Sequence, residues 1–196
     1  MEFALSPFKK GVNPNTLTLL GFAFSLLTAF CIASGRLRLG GLLILLAGGF
    51  DVLDGAVARI YQRNTRFGVL LDAVMDRYSD LVVYVGLIIY YAQRRQMTDL
   101  ILICVVLIAG MLIPYIRARA ETLMPDCSGG LMERPERVLL LSAGLLFNLL
   151  SPVLWILAVL GHITVFQRLY FAWQRLNDSY RAPLAEKPEE LHPTQP

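Results

Sequence analysis

Long apolar runs separated by short polar segments make up most of the chain. A helix needs about 20 mostly apolar residues to cross a membrane, and six stretches approach or reach that length. The predicted helices cover approximately residues 14–34, 38–60, 66–91, 98–120, 136–150 and 152–173. The pattern therefore predicts an all-α integral membrane protein with six transmembrane helices.

Composition supports this interpretation. Hydrophobic residues make up 56% of the 196 positions and charged residues only 17%, and the mean hydropathy is +0.55. The predicted spans leave no room for a second domain, so we expect one transmembrane domain over residues 1–182. Residues 183–196 have the composition of a disordered tail. The expected environment is the lipid bilayer, and no nucleic-acid partner is expected.

The distribution of basic residues predicts the orientation of the bundle. Of the 18 Lys and Arg residues, roughly 14 lie on the side of the N-terminus, and the positive-inside rule places that side in the cytoplasm. The other side carries Arg36, Arg38, Arg94 and Arg95. Residues 1–9 fit a short interfacial helix on the cytoplasmic face, with a disordered N-terminus as the alternative. The prediction is a multi-pass protein of the cell membrane with both termini inside.

A stripe of small residues marks the first predicted span. Gly21, Ser25, Ala29 and Ala33 recur at every fourth position, which allows another helix backbone to approach closely. Packing within the monomer is the favoured interpretation, and a homodimer seam is the alternative.

Four aspartates interrupt the apolar pattern of the second and third spans. Asp51 and Asp54 are three residues apart, and Asp72 and Asp76 are four apart, so each pair lies on one helix face. Because a short segment connects these helices, we expect them to be antiparallel neighbours whose acids converge. A charge near the bilayer centre costs at least about 2.5 kcal/mol, which indicates a site that binds cations.

The type of ligand indicates the type of cation. Oxygen ligands alone favour a hard divalent ion, Mg²⁺ or Mn²⁺. Four carboxylates exceed the charge of one ion, whereas two ions about 4 Å apart balance it and form the arrangement used for phosphoryl transfer. The expected substrate is therefore a phosphate ester or anhydride. Gly55 and Gly68 leave room for a ligand or a neighbouring helix, and Arg59 can pair with a phosphate or an acid.

A second polar group consists of arginines near the cytoplasmic ends of later helices. Arginine makes bidentate, charge-assisted bonds to phosphate, so their convergence would fit an acceptor that already carries a phosphate. The alternative is ordinary positive-inside charge in contact with anionic lipid, which we prefer for Arg119. The group comprises Arg117, Arg119, Arg134, Arg137 and Arg168.

One pattern across the second and third spans resembles the complete signature of the CDP-alcohol phosphotransferase family. It reads Asp51-x-x-Asp54-Gly55-x-x-Ala58-Arg59, followed by Gly68, Asp72 and Asp76. The six-span layout is similar to that family along most of the chain. The resemblance implies an enzyme in which an alcohol hydroxyl displaces CMP from a CDP-linked donor, in a site that faces the cytoplasm.

The resemblance also implies roles for individual residues. Asp51, Asp54 and Asp72 resemble the principal ligands of two Mg²⁺ ions, and Asp76 resembles the general base that also contacts the second ion. A lipid donor is favoured, because the spans would leave a lateral opening for acyl chains. Asn15 could instead be the N-cap of the first span. By similarity, the donor-binding residues are Asn15, Gly55, Arg59, Thr65 and Gly68.

Three later segments resemble one branch of the family, the phosphatidylinositol phosphate synthases and their archaeal-type lipid counterpart. The segments are YIRARAE from Tyr115, GGLMERPERVLLL from Gly129, and FQRLY from Phe166. This resemblance implies inositol 1-phosphate as the acceptor and phosphatidylinositol phosphate as the product. The residues expected to bind the acceptor phosphate are Arg117, Arg134, Arg137 and Arg168.

Other functions are compatible with parts of the pattern. A phosphatidylglycerophosphate synthase would use the same chemistry with glycerol 3-phosphate as acceptor. A cation transporter would also carry intramembrane carboxylates, but it would require polar groups that continue to the other side, and the fourth and fifth spans offer almost none at depth. A scaffold without catalytic activity is disfavoured by the intact set of acids.

Overall fold

The computed structural model describes residues 14–60, 65–123 and 130–185, with the backbone alone for 14, 15, 17, 50–60, 66 and 178–185. Within these ranges all regular secondary structure is helical, which confirms the predicted all-α class. The six helices are α1 (Pro14–Ala33), α2 (Leu37–Ile60), α3 (Arg66–Gln93), α4 (Met97–Glu121), α5 (Arg134–Leu146) and α6 (Leu150–Ala185).

The last two helices differ from the prediction. Helix α5 ends at Leu146, before the predicted position 150, because Asn148 adopts a left-handed conformation with φ 57°, which Asn tolerates better than most residues. Helix α6 continues to Ala185 and has 36 residues, or about 54 Å. It includes the first three residues of the predicted tail. The rest of that tail and the predicted interfacial helix over 1–9 lie outside the described residues.

Two helical segments of the described chain are long and apolar enough to cross a membrane, judged by length and composition. They are Met97–Glu121 and Leu150–Asn177. Helices α1 and α2 contain shorter apolar stretches, Thr18–Ala33 and Leu37–Gly49. Helix α3 carries several charged residues in its first half, and α5, with 13 residues, is only about 20 Å long. The six-span layout and its orientation therefore stay predictions.

The helices form a closed ring in the described part of the chain. Helix α1 packs against α2 and α3, α5 packs against α2 and α6, and α4 packs against α3 and α6. The order around the ring is thus α1, α2, α5, α6, α4, α3. Helices α2 and α3 do not pack extensively on each other within the described residues, where α1 packs against both and a cavity lined by α1, α2, α3 and α5 lies between them. The side chains of residues 50–60, through which the acids of α2 are expected to meet α3, lie outside the described set, so the expectation that these acidic ends converge stays a prediction.

Helices α1 and α3 run parallel and approach closely. Phe22 lies edge-on to Tyr78, with 6.3 Å between ring centroids. About two helical turns further along both helices, Ala29 packs against Gly86. A Cβ atom added at Gly86 would lie 2.7 Å from the carbonyl oxygen of Ala29. Ala29 belongs to the small-residue stripe predicted from the sequence, so at this position the stripe packs within the monomer.

The distribution of apolar side chains separates a core from an apolar outer surface. Ile32, Leu87 and Leu154 are fully buried and belong to one cluster of contacting residues. Large apolar side chains also cover the outside: Phe30 and Phe166 are each 68% exposed. Soluble monomers rarely expose large contiguous apolar patches, so this surface is suited to contact with lipid.

The close approach at Gly86 leads to a prediction about stability. We expect Gly86→Ala to lower the free energy of unfolding by about 1 to 3 kcal/mol, because the added methyl group displaces backbone rather than a flexible side chain. Unfolding by denaturant in detergent micelles measures the change. Gly49→Ala is the matched control, since a Cβ there meets nothing within 4 Å and alanine favours the helix. Equal stability of both variants would contradict the prediction.

Candidate active site

The acidic face of α3 lies at the end of the bundle where α5 begins. Asp72 is exposed and Asp76 is partly buried, and their spacing places them one turn apart on the same face. The next turn of this face carries Asp80, whose side chain is 16% exposed. Three carboxylates therefore follow one another along the helix, with increasing distance from its N-terminus.

The backbone of α2 brings Asp51 and Asp54 to the same end. A Cβ at Gly48 would lie 3.5 Å from Val138, and one at Gly41 would lie 3.0 Å from Leu145, so α2 and α5 are antiparallel. Three residues beyond Gly48, the backbone of Asp51 is therefore level with the first turn of α5. The side chains of Asp51, Asp54, Gly55 and Arg59 are outside the described set, so their predicted roles stay predictions.

Arg134, in the first turn of α5, joins two of the α3 carboxylates. Its Nη1 atom lies 2.8 Å from Oδ1 of Asp76, and its Nε atom lies 3.4 Å from Oδ1 of Asp80. The first contact is short enough for a charge-assisted hydrogen bond, and the second is longer and weaker. The predicted general base is thus in direct contact with a residue that we predicted to bind the acceptor phosphate.

Arg137, one turn further along α5, is buried beside Asp80. Only 7% of the residue is exposed, and its Nη2 atom lies 3.6 Å from Oδ2 of Asp80. A Cβ at Gly110 of α4 would lie 2.9 Å from Nη1, so the glycine makes room for the guanidinium group. The Nε atom of Arg137 is buried and has no hydrogen-bond partner. Arg77 also approaches Asp80, at 4.0 Å.

Arg168 occupies a comparable position on α6. It is 7% exposed, its Nη1 atom donates to the carbonyl oxygen of Ile113 at 3.0 Å, and its Nη2 atom lies 3.6 Å from Glu133. Gly130, with φ +144°, leaves space for the guanidinium group, because a Cβ there would lie 2.8 Å from Nε. That Nε atom is buried without a hydrogen-bond partner. Arg117 is close enough to Arg168 for their positive charges to repel each other.

The segment that leads into α5 is fixed by local sequence. Glu133 and Glu136 form a capping box, in which the backbone N–H of Glu133 donates to Glu136 at 2.9 Å, and Pro135 is compatible with the first helical turn. The backbone N–H of Leu131 donates to the side chain of Gln167 at 3.2 Å. These contacts place the start of α5 against α6 and orient Arg134 and Arg137 toward α3.

Arg117 differs from the other predicted acceptor residues. Its side chain is 47% exposed, and its Nε atom pairs with Glu121 of the same helix at 2.8 Å. Arg134 and Arg137 thus contact carboxylates of α3, and Arg168 is buried nearby. Arg117, in contrast, lies at the exposed edge of this group of arginines.

The predicted donor residues at the start of α3 have a structural role. Thr65 is the N-cap of α3, and its hydroxyl oxygen accepts a hydrogen bond from the backbone N–H of Gly68 at 2.9 Å. Asn15 lies inside α1, which already includes Pro14, so the alternative that Asn15 caps this helix is wrong. Donor contacts of these residues stay predictions.

Sequence reasoning gave too little weight to three residues of this site. Asp80 is not part of the site predicted from the sequence, yet it approaches Arg77, Arg134 and Arg137. Its four-residue spacing from Asp76 was the signal. The prediction also did not include Glu133 and Gln167. The capping pattern of Glu133 and Glu136 could have indicated a structural role for Glu133, but no sequence signal indicated Gln167.

The described residues fit a divalent cation at the outer part of the acidic face. The candidate ligands are all carboxylates, as Mg²⁺ and Mn²⁺ prefer, and Asp72 and Asp76 share one face at the level that the α2 acids reach. Within the described residues no group of three metal-binding side chains forms, as expected when half of the predicted ligands lie outside that set.

Comparison with known proteins agrees with the family resemblance of the signature pattern. The family model for CDP-alcohol phosphatidyltransferases matches residues 12–168. A phosphatidylinositol phosphate synthase of Mycobacteroides abscessus is 39% identical over 173 residues, covering 83% of this chain and 78% of that protein. An archaetidylinositol phosphate synthase of Methanothermobacter thermautotrophicus is 38% identical over 166 residues, covering 82% of this chain and 83% of that protein.

Solved structures show the same similarity. The crystal structure of Mycobacterium tuberculosis phosphatidylinositol phosphate synthase with CDP-DAG bound is 35% identical, with a TM-score of 0.80, and the match covers 88% of this chain and 92% of that one. A second structure of the same enzyme, in complex with manganese and citrate, also has a TM-score of 0.80 at 35% identity and covers 88% of each chain. The chain therefore belongs to the CDP-alcohol phosphatidyltransferase family.

Proposed function

We propose that this protein transfers a phosphatidyl group, or the corresponding group of an archaeal-type lipid, from a CDP-linked lipid to inositol 1-phosphate. The products are CMP and phosphatidylinositol phosphate. The observation that carries the proposal is the contact between the acidic face of α3 and the α5 arginines, where Arg134 lies 2.8 Å from Asp76. A residue suited to an acceptor phosphate thus lies beside the predicted base, and the relatives named above support the same acceptor.

Divalent cations are part of the proposal. Asp51, Asp54, Asp72 and Asp76 would bind two Mg²⁺ ions, with Mn²⁺ as an alternative, and the manganese complex of the M. tuberculosis enzyme supports a divalent metal. When bound, such ions neutralise the pyrophosphate of the donor and stabilise the CMP that leaves.

Asp76 is suited to remove the proton of the attacking hydroxyl. In the proposed step the acceptor oxygen forms a bond to the phosphorus atom that carries the lipid, the bond from that phosphorus to the CMP oxygen breaks, and the proton moves to Asp76. The contact with Arg134, at 2.8 Å, orients the carboxylate. A base must lie within hydrogen-bond reach of the proton, and the arginines beside Asp76 would bring the acceptor there.

The buried arginines account for a phosphorylated acceptor. Arg137 and Arg168 are both 7% exposed, and each has a buried Nε atom without a hydrogen-bond partner. Buried donors without partners are rare, and a phosphate would supply acceptors for both. Arg134 and the rim residue Arg117 would complete the positive surroundings. We expect a dianionic phosphate to bind here more tightly than a neutral hydroxyl group.

An apolar groove supports a lipid as the donor. It lies between α2 and α5, has a volume of about 360 Å³, and is lined by Leu45, Val138 and Leu139, with Arg134 at its edge. An acyl chain in this groove would leave the pyrophosphate near the acidic residues. The donor-binding roles of Asn15, Gly55, Arg59, Thr65 and Gly68 belong to the same proposal.

The polar groups lie at one end of the bundle, which we propose faces the cytoplasm. Arg36, Arg38, Arg94 and Arg95 lie at the opposite end, beyond the parallel C-terminal ends of α1 and α3. A cation transporter would need polar groups across both halves, but the described half that is distant from Asp80 has a core of residues such as Ile32, Leu87 and Leu154. A homodimer stays a prediction from the α1 stripe.

An acceptor screen tests the proposed function. Purified protein receives CDP-diacylglycerol, Mg²⁺ and one alcohol at a time, and CMP release is followed. We expect turnover with inositol 1-phosphate, none after chelation of the metal, and recovery when Mg²⁺ or Mn²⁺ is restored. Glycerol 3-phosphate and unphosphorylated inositol serve as comparison substrates. Preferred turnover of glycerol 3-phosphate would instead establish a phosphatidylglycerophosphate synthase, and cation flux into liposomes without CMP release would indicate a transporter.

Replacing the base tests the role of Asp76. We expect Asp76→Asn to lower kcat by a factor of about 10² to 10⁴, the range for loss of general base catalysis, because an amide cannot accept the hydroxyl proton. Single-turnover CMP release measures the chemical step. Asp99→Asn, in the first turn of α4 at the other end of the bundle, is the control and should retain wild-type turnover. Full activity of Asp76→Asn would remove the assignment.

A further inference from the structure

We propose that Asp80 is a positioning residue of the acceptor site, whose carboxylate fixes Arg134 and Arg137 where they meet the acceptor phosphate. The inference rests on the proposed function, and it adds a residue that neither the signature pattern nor the metal site includes. Asp80 acts through the arginines and does not itself contact the substrate or a cation.

The Asp80 carboxylate approaches three arginines, and its two oxygens face different ones. Oδ1 of Asp80 lies 3.4 Å from Nε of Arg134, and Oδ2 lies 3.6 Å from Nη2 of Arg137 and 4.0 Å from Nη1 of Arg77. Each carboxylate oxygen therefore faces a different arginine of α5. Since the two arginines are one helical turn apart, a carboxylate level with both can orient them together.

Arg134 contacts two carboxylates of α3 through different nitrogen atoms. Its Nη1 atom contacts Asp76 at 2.8 Å, while its Nε atom contacts Asp80. Both carboxylates lie on the same face of α3, one turn apart. The contact with Asp80 limits how far Arg134 can turn toward Asp76, so the guanidinium group stays between the predicted base and the deeper arginine.

Arg137 is buried between α3 and α4. Its residue is 7% exposed, Asp80 faces it from α3, and Gly110 provides space on the α4 side, where a Cβ would lie 2.9 Å from Nη1. A buried guanidinium that loses its counter-charge is strongly destabilised. Asp80 thus keeps the Arg137 guanidinium group in its buried position. The Nε atom of Arg137 has no hydrogen-bond partner and is available to an anion.

The side chains around Asp80 carry a net positive charge. The described network around Asp80 contains three guanidinium groups, of Arg77, Arg134 and Arg137, and two carboxylates, of Asp76 and Asp80. The excess of one positive charge favours an anionic ligand. If Asp80 became neutral, Arg134 would turn toward Asp76 and Arg137 would lose its orientation. Acceptor binding would weaken although the total positive charge had increased.

The experiment compares Asp80→Asn and Asp80→Glu with the wild type. We expect Asp80→Asn to raise the KM for inositol 1-phosphate about tenfold or more, as expected for a lost charge-assisted contact, with the KM for CDP-diacylglycerol unchanged. Asp80→Glu restores the charge and should recover part of the lost acceptor affinity. A general structural defect would change both KM values together, and the conservative variant would not rescue one of them selectively.

Two controls make the result decisive. Asp99→Asn removes a carboxylate at the other end of the bundle and should leave both KM values unchanged. Gly110→Ala displaces the guanidinium of Arg137 from the opposite side while Asp80 stays in place, and it should raise the acceptor KM in the same direction. If Asp80→Asn does not yield monodisperse protein that binds the CDP-lipid, Gly110→Ala provides the test.

The outcomes separate this inference from the proposed function. An unchanged acceptor KM in Asp80→Asn, or in Gly110→Ala where that variant provides the test, overturns the positioning role while wild-type turnover leaves the proposed function intact. Absence of wild-type turnover with every phosphorylated alcohol overturns the proposed function first. A selective rise in the acceptor KM, reversed in part by Asp80→Glu, supports the inference.

Discussion

The buried ion pairs between carboxylates and arginines are the constraint on which the rest of this structure depends. Burying one charge costs several kcal/mol even after relaxation, and Arg137 and Arg168 are each only 7% exposed. Their partners come from other segments: Asp80 of α3 faces Arg137, while the Ile113 carbonyl of α4 and Glu133 face Arg168. Because each pair joins different helices, compensation of charge also determines how α3, α4, α5 and α6 assemble at this end.

Close packing makes these pairs possible. Gly110 and Gly130 are the positions where a Cβ would meet a guanidinium nitrogen, at 2.9 Å and 2.8 Å. At the other end of the bundle the core is apolar, with Leu87 and Leu154 fully buried. The molecule therefore has a polar end, where cations, phosphates and a hydroxyl can be accommodated, and an apolar end, which supports it. Such a division restricts the proposed chemistry to one end of the bundle.

Much of this arrangement follows from the sequence, and the exceptions have physical reasons. Apolar runs predicted the first four helices within about two residues, and the spacing of Asp72 and Asp76 predicted their shared face. The end of α6 was missed because apolar periodicity weakens after position 173, whereas the helix continues to Ala185. Within the described residues α2 and α3 are separated rather than packed extensively on each other, since a short connection constrains only the ends of two helices, and α1 packs against both.

The partners of the arginines were harder to predict than the arginines themselves. Positive charges near helix ends can be read from the chain, but helical spacing shows only which residues share a face, not which neighbouring helix that face meets. Asp80 illustrates the difference, because its spacing from Asp76 shows that both lie on one face of α3 but not that this face meets Arg134 and Arg137 of α5.

On one face of α3, three carboxylates at successive turns have different surroundings. Asp72 is exposed, Asp76 contacts Arg134, and Asp80 approaches Arg77, Arg134 and Arg137 among the described residues. A carboxylate near solvent and other acids is suited to a cation, and one surrounded by guanidinium groups is suited to orienting them. The boundary between the proposed donor and acceptor halves therefore lies along a single helix, at Asp76, where Arg134 contacts the carboxylate that we propose receives the proton.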